Sequence, residues 1–416
     1  MKWPGTRNIH VPAQLGPVTT IGSEDAFDGT GLNAAAVGKV WRSVEDLYRA
    51  GAHPAITFCL RHHGRVVLNR AIGHADGNGP DDSPYGPKRL ALPDTPVCVF
   101  SASKAITAIL IHKLAEEGGL KLDERVGHFI PEFAALGKGE TTISQVLAHR
   151  GGFPLFDLPK DQIDPAMLLD WERCVDLICK SPPTHRKTPR LAYHAITGGY
   201  ILAEILQRIT QRPISEYLDS KIRKPLGMQT FTYGLAREHR PAVAVNYVAG
   251  APVRFPISTL LERALMAPMQ QIVDVSNSSL FHDAVIPSGN LFCNADELSR
   301  FYQMLLDHGE YEGVQVLKAK TVARAVRPAS PMAIDNTLKI PMRYSEGLML
   351  GSNPFSLYGP MTARAYGHLG FLNILAWADP QRQVAVSMLT TGKAVLGGHI
   401  LPLIQLMTTI ARECKD

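Results

Sequence analysis

Ser101-Ala102-Ser103-Lys104 sets a hydroxyl and an amine three residues apart. On a helix that spacing places both side chains on one face. A serine hydroxyl is a poor nucleophile unless a base takes its proton, and a lysine serves as that base once desolvation lowers its pKa. The start of a helix also carries backbone N–H groups without intrahelical acceptors, so the N–H of Ser101 is available as half of an oxyanion hole. The competing reading makes Ser101 a helix cap and Lys104 a solvated first-turn residue. The sequence that follows favours the chemical reading. Residues 102–117 are good helix formers, closed by Gly118-Gly119, with Ile106, Ile109, Leu110 and Leu114 at helical spacing. Ala105, Ala108 and Ile111 make the middle apolar nearly all round. Such a helix lies in the centre of a protein, a poor place for a solvated lysine.

Other elements must hold that helix. A helix is expected over 37–50, then a hairpin from 55–60 through His63-Gly64 to 66–68. Residues 73–93 are crowded with Gly, Pro and Asp and read as loop. The apolar run 97–100 leads into Ser101. A second clear helix spans 199–210. Near the C-terminus 371–377 and 384–389 read as strands, with Asp379-Pro380 between them, and 400–410 as an amphipathic helix. Strands at both ends and helices between them predict a sheet of N- and C-terminal segments with a helical insertion. The expected division is an irregular lead-in over 1–35, a sheet domain over 36–124 and 286–416, and an all-helical region over 125–285.

Composition narrows the classes. With 416 residues, 45% of them hydrophobic, the chain can bury a large core. Lys plus Arg number 43 against 38 acidic residues. The densest basic patch, His185-Arg186-Lys187 with Arg190 nearby, is short and has no interleaved aromatics, which argues against a nucleic-acid partner. Six cysteines form no Cys-x-x-Cys pair, so neither a disulfide framework nor a metal site is expected. No apolar signal-peptide core follows Met1, and no run approaches the ~20 apolar residues of a membrane span. These features predict a cytoplasmic protein without a transmembrane segment. No Gly-x-Ser-x-Gly elbow, His-Glu-x-x-His, P-loop or Gly-x-Gly-x-x-Gly occurs.

Phe100-Ser101-Ala102-Ser103-Lys104 resembles the active-site start of the class C β-lactamases, D,D-peptidases and β-lactamase-like carboxylesterases. The resemblance covers roughly residues 37–410. Gly119-Leu120-Lys121-Leu122-Asp123 and Ile130-Pro131-Glu132-Phe133 match the stretch after the nucleophile helix. Leu147-Ala148-His149-Arg150-Gly151-Gly152 is similar to a further family segment, as is Pro225-Leu226-Gly227-Met228. Tyr193-His194-Ala195 stands where the family has Tyr-x-Asn, and His368-Leu369-Gly370 where β-lactamases carry Lys-Thr-Gly.

The resemblance implies an α/β (α+β) fold with an antiparallel sheet flanked by helices. It implies Ser101 as nucleophile, with Lys104 and Tyr193 sharing the work of general base and acid. The N–H groups of Ser101 and Phe371 would form the oxyanion hole, and His368, Gly370 and Phe371 would contact substrate. No cofactor is implied, and the expected partner is a small-molecule or lipid ester. Ala195 lacks the amide of the β-lactamase motif, and a neutral His368 offers no fixed positive charge for a substrate carboxylate. Both departures favour a serine carboxylesterase or lipase over a β-lactamase or D,D-peptidase. An acyltransferase with the same acyl-enzyme stays open, and a non-catalytic binding protein is least favoured.

Overall fold

A computed structural model of the chain describes residues 5–26, 28–159, 164–184 and 190–415. Its centre is an antiparallel sheet. The strands are β1 (Thr19–Ile21), β2 (Ala55–His62), β3 (Arg65–Asp76), β4 (Met349–Leu350), β5 (Tyr366–Leu369), β6 (Leu375–Asp379) and β7 (Val384–Thr390). They lie side by side as β1-β3-β2-β7-β6-β5-β4, and the short strand Arg89–Leu90 pairs with β3. N- and C-terminal segments therefore meet at the β2–β7 ladder, from Ile56↔Thr390 to His62↔Val384. The β2–β3 hairpin turns at His63-Gly64, both left-handed at φ 48° and 76°, which matches the twist of a two-residue hairpin.

The helices used below are α1 (Ala34–Arg49), α2 (Ser103–Glu116), α3 (Thr197–Thr210), α4 (Ile257–Leu265), α5 (Met269–Ser276), α6 (Ala295–Leu306) and α7 (Ile400–Glu413). Strand alternation sorts the sheet's residues by size. Ile56, Phe58, Leu60, Ile72, Trp377, Val386 and Met388 face one core with α1 and α7. Ala55, Cys59, Ala71, Ala376, Ala378 and Ala385 face the other, which also holds α2, α3 and α6. Short side chains there let α6 lie close to the sheet. Ser387 Oγ on β7 donates to the Ala295 carbonyl. Arg61 on β2 reaches Ser299 Oγ at 2.9 Å, Tyr311 Oη at 3.1 Å and the Asp296 carboxylate. Helix α2 is buried on all sides from Ser103 to His112.

Several sequence expectations change. The lead-in contributes the edge strand β1, paired with β3. The stretch 73–93 is not all loop, because β3 continues to Asp76 and Arg89–Leu90 returns along it. Between 125 and 285, two short strands interrupt the helices. Thr232–Tyr233 pairs with Leu291–Cys293, and Tyr247–Val248 runs parallel to Gly392–Lys393. Residues 371–374 are a turn rather than the start of a strand. The Gly370 N–H donates to the Ile374 carbonyl, and Leu372 and Asn373 are left-handed at φ 49° and 68°. All six cysteines are buried thiols. Among the described residues no helix is long and apolar enough to cross a membrane. His185, Arg186 and Lys187 lie outside the described residues.

The small-residue face makes a specific demand. Ala376→Leu would push a larger side chain between β6 and α6, and overpacking of this kind costs about 1–3 kcal/mol. The expected outcome in urea unfolding is a lower midpoint with an unchanged slope. An unchanged midpoint would show that α6 does not need the short side chain.

Candidate active site

Ser101 stands in a single 3-10 turn, Phe100–Ala102, between the strand Val97–Cys98 and α2. Phe100 is left-handed, at φ 47°. A non-glycine residue in that conformation costs about 1–2 kcal/mol, and the neighbouring hydroxyl of Ser103 fastens it. Ser103 Oγ donates to the Phe100 carbonyl at 2.5 Å and accepts the Leu291 N–H at 3.0 Å.

Lys104 Nζ lies 3.1 Å from Ser101 Oγ and donates to the Ser288 carbonyl at 2.9 Å. The residue is 8% exposed. Burial pushes its pKa well below the usual lysine range, with no carboxylate to compensate. The neutral amine is thereby favoured, and its lone pair is in reach of the serine proton. Ser288 is held in turn. Its Oγ donates to the Ile196 carbonyl at 2.8 Å, and Thr107 Oγ1 donates to the Pro287 carbonyl at 2.6 Å. Helix α3 approaches closely because residue 199 is glycine; a Cβ there would stand 2.0 Å from Ser288 Oγ.

Tyr193 arrives just before α3. Its hydroxyl hydrogen-bonds with Ser101, and Lys104 Nζ lies 4.9 Å from its ring centre. Its N–H donates to Asp335 Oδ1 at 3.0 Å, which also accepts the N–H groups of Thr337 and Leu338 at 2.8 and 2.9 Å. Tyr344 Oη donates to Asp335 Oδ2 at 3.2 Å. Burial, aided by the Asp335 charge, pushes the phenol well above its ordinary range. Tyr193 therefore stays an O–H that can relay a proton rather than a phenolate that abstracts one.

Three histidines surround the tyrosine and lysine. The His149 ring lies 4.7 Å from that of Tyr193, and its Nδ1 accepts the His194 N–H at 3.1 Å. The His368 ring lies 6.2 Å from Tyr193, with Nδ1 2.7 Å from the Leu369 carbonyl. That contact fixes the proton on Nδ1, and Nε2 has no partner among the described residues. Burial is the chief cause that pushes His368 down to about 3.

A cavity of about 90 Å³ opens against Ser101. Ala195, Leu168, Leu265, Ile272, Phe281 and Phe371 line it, and among the described residues Ser288 is the only lining hydroxyl besides Ser101. His368 is 1% exposed and lies beside Lys104 and Tyr193, and none of the three is among the cavity's lining residues. Gly370 does not line the cavity either. Its missing side chain matters for approach, since a Cβ there would stand 2.5 Å from the Val99 carbonyl. That closeness brings Phe371 against Phe100, ring centres 5.3 Å apart and edge to face.

The structure thus brings Ser101, Lys104, Tyr193 and Phe371 together. Sequence reasoning missed the Ser288 carbonyl, although Pro287-Ser288-Gly289-Asn290 has the composition of a turn. It also missed Asp335, which no local signal marks.

Residues 41–401 match the family model described as Beta-lactamase. The chain belongs to the Beta-lactamase family. It is 26% identical over 312 residues to the "Esterase/beta-lactamase LipL" of Mycobacterium tuberculosis, spanning 71% of this chain and 69% of that one. A family VIII carboxylesterase structure superposes with a TM-score of 0.76 at 25% identity, covering 90% of this chain and 98% of that one. A penicillin-binding protein homolog from Caulobacter crescentus gives 0.75 at 26%, covering 92% and 99%. Family membership makes the protein a serine hydrolase of the β-lactamase fold.

The buried histidines set a pH dependence of stability. His53, His194 and His368 are each pushed down to about 3, chiefly by burial, against a reference near ~6.5. Between those values the unfolded chain binds more protons than the folded one, so stability falls as pH falls through that window. The thermal midpoint should be steady at neutral pH and drop steeply below about 6.5. A midpoint that stays flat down to about pH 4.5 would show that these rings carry protons in the fold.

Proposed function

We propose that the protein is a carboxylic ester hydrolase acting through an acyl-enzyme on Ser101, with a preference for short aliphatic acyl groups. The apolar cavity against Ser101 carries this reading. A charged or amide-bearing acyl group would lose its hydration there without new partners, which is costly; a hydrocarbon chain loses nothing. Ala195 contributes a methyl group to that cavity where β-lactamases have the asparagine amide. The neutral His368 gives no counter-charge to a carboxylate. The relative named esterase/beta-lactamase and the carboxylesterase structure support the same class.

The chemistry follows from the positions. Ser101 Oγ attacks the ester carbonyl while its proton passes to Lys104 Nζ. The N–H groups of Ser101 and Phe371 receive the developing oxyanion. The proton then moves to the leaving alkoxide, with the Tyr193 hydroxyl as relay, and the acyl group stays on Ser101. Water repeats the sequence with the same groups and releases the acid. Incubation with a fluorophosphonate, p-nitrophenyl esters and a chromogenic cephalosporin tests this. The expected result is label on Ser101, butyrate turned over faster than the cephalosporin, and loss of both label and turnover in Ser101→Ala. Faster turnover of the cephalosporin would replace the esterase reading with a β-lactamase one.

Chain length follows from the cavity wall. Dry apolar cavities of about 150 Å³ accept benzene, so about 90 Å³ suits a chain of roughly four carbons. The end of α4 forms a partition. Ala264 and Leu265 line the acyl cavity, whereas Arg263, Met266 and Ala267 line a second one of about 470 Å³. Leu265→Ala should shift the preferred p-nitrophenyl ester from butyrate toward octanoate or longer. An unchanged chain-length profile would show that α4 does not set the limit.

A further inference from the structure

We propose that Lys393 is a positioning residue for the oxyanion-binding backbone, acting as a buried cation that holds the Phe100 ring and, through it, Phe371. This rests on the reading of Ser101 as the nucleophile. Lys393 lies beyond β7 and is fully buried, at 0% exposure. Its Nζ donates to the Thr390 carbonyl at 2.8 Å and lies 4.8 Å from the centre of the Phe100 ring. Among its described neighbours no carboxylate shares its charge. A buried lysine without a counter-charge is costly, and here the Thr390 carbonyl and the Phe100 ring face are the groups that stabilise the positive charge.

What that ring controls makes the contact matter. Phe100 immediately precedes Ser101 and is left-handed. Its edge-to-face partner is Phe371, whose N–H is the second proposed oxyanion donor. The turn after Phe371 is also left-handed at two non-glycine residues, Leu372 and Asn373. Such residues persist only where the surroundings over-determine them. Here the segment around Lys393 supplies the ties. Asn373 Nδ2 donates to the Ala394 carbonyl at 2.9 Å, and Thr390 Oγ1 donates to the Asn373 carbonyl at 3.2 Å. One stretch, 390–394, therefore grips both strained turns, one through an aromatic ring and the other through hydrogen bonds.

The grip depends on charge, so it depends on pH. Burial pushes Lys393 down to about 7. The titratable groups around it stay uncharged near that pH. Burial pushes the Cys98 thiol up to about 12 and His53 down to about 3, and it lowers His399 beside His53. Tyr247, in the paired strand, is raised by burial. As pH rises through about 7, the ammonium loses its proton and the ring loses its cation. The resulting profile has an acid limb from Lys104, which must be neutral, and an alkaline limb from Lys393, which must be charged.

The test compares kcat and KM for p-nitrophenyl butyrate across pH in wild type, Lys393→Met and Phe100→Leu. Lys393→Met keeps the length of the side chain and removes the charge. It should lower kcat by about threefold to thirtyfold, the span of a cation–ring contact, with little change in KM and with the alkaline limb gone. Phe100→Leu removes the ring and leaves the lysine, and should also lose that limb, so a poorly folding Lys393 variant does not protect the idea. Fluorophosphonate labelling separates the two readings. Label on Ser101 with identical pH profiles in all three proteins overturns the role of Lys393 alone. Label on another residue overturns the nucleophile assignment and the role of Lys393 with it.

Discussion

An amine kept from water beside a hydroxyl makes two opposed demands on the surrounding chain. The surroundings must be apolar enough to disfavour the ammonium form, yet they must offer Lys104 an acceptor that fixes its direction. The Ser288 carbonyl meets the second demand without adding a charge that would restore the ammonium. A carboxylate in its place would attract the proton and remove the base. Much of the architecture serves that balance. Helix α2 is buried on all sides, α3 comes close at Gly199, and the turn at 287–290 is hydrogen-bonded to Thr107 and Ile196.

The same economy governs the residues packed around Lys104 and Tyr193. Tyr193, His149, His194 and His368 occupy one buried layer, and burial moves each of them toward its neutral form. Hydrogen bonding therefore positions the reacting groups, and long-range charge does little of it. The exception is Asp335, whose carboxylate is fully buried but accepts three N–H groups and one hydroxyl. A charge so completely bonded is tolerated in the interior, and it fixes the backbone of Tyr193 from behind.

Some of the left-handed non-glycine residues of the fold stand where the site needs sharp changes of direction. Phe100, Leu372 and Asn373 are left-handed without being glycine. They flank the two N–H groups proposed to receive the oxyanion. The sheet makes this affordable because β5, β6 and β7 end together at this point, so that the turn after Gly370 and the segment after Thr390 meet. Alanines at 55, 71, 376, 378 and 385 on one face of the sheet let the helices on that side come near.

The sequence by itself determined the pairing of Ser101 with Lys104, because a separation of three residues across a helical start is fixed by local geometry. It also determined the hairpin, the main helices and the family, since these rest on local periodicity and ordered motifs. Its architecture of terminal strands around a largely helical insertion matches the sheet, while the edge strand at 19–21 and the strands at 232–233 and 247–248 were too short to show a period. Only the tertiary structure decided that His368 is buried beside Tyr193, and that 371–374 is a turn. The reason is that neither fact is local: Gly370 must pack on the Val99 carbonyl, and β5 must pair with β6, before those residues have a direction. The partners of the site, Ser288, Asp335 and Lys393, were invisible for the same reason. Each is an ordinary residue in its own stretch of chain, and it takes its role from what the fold places against it.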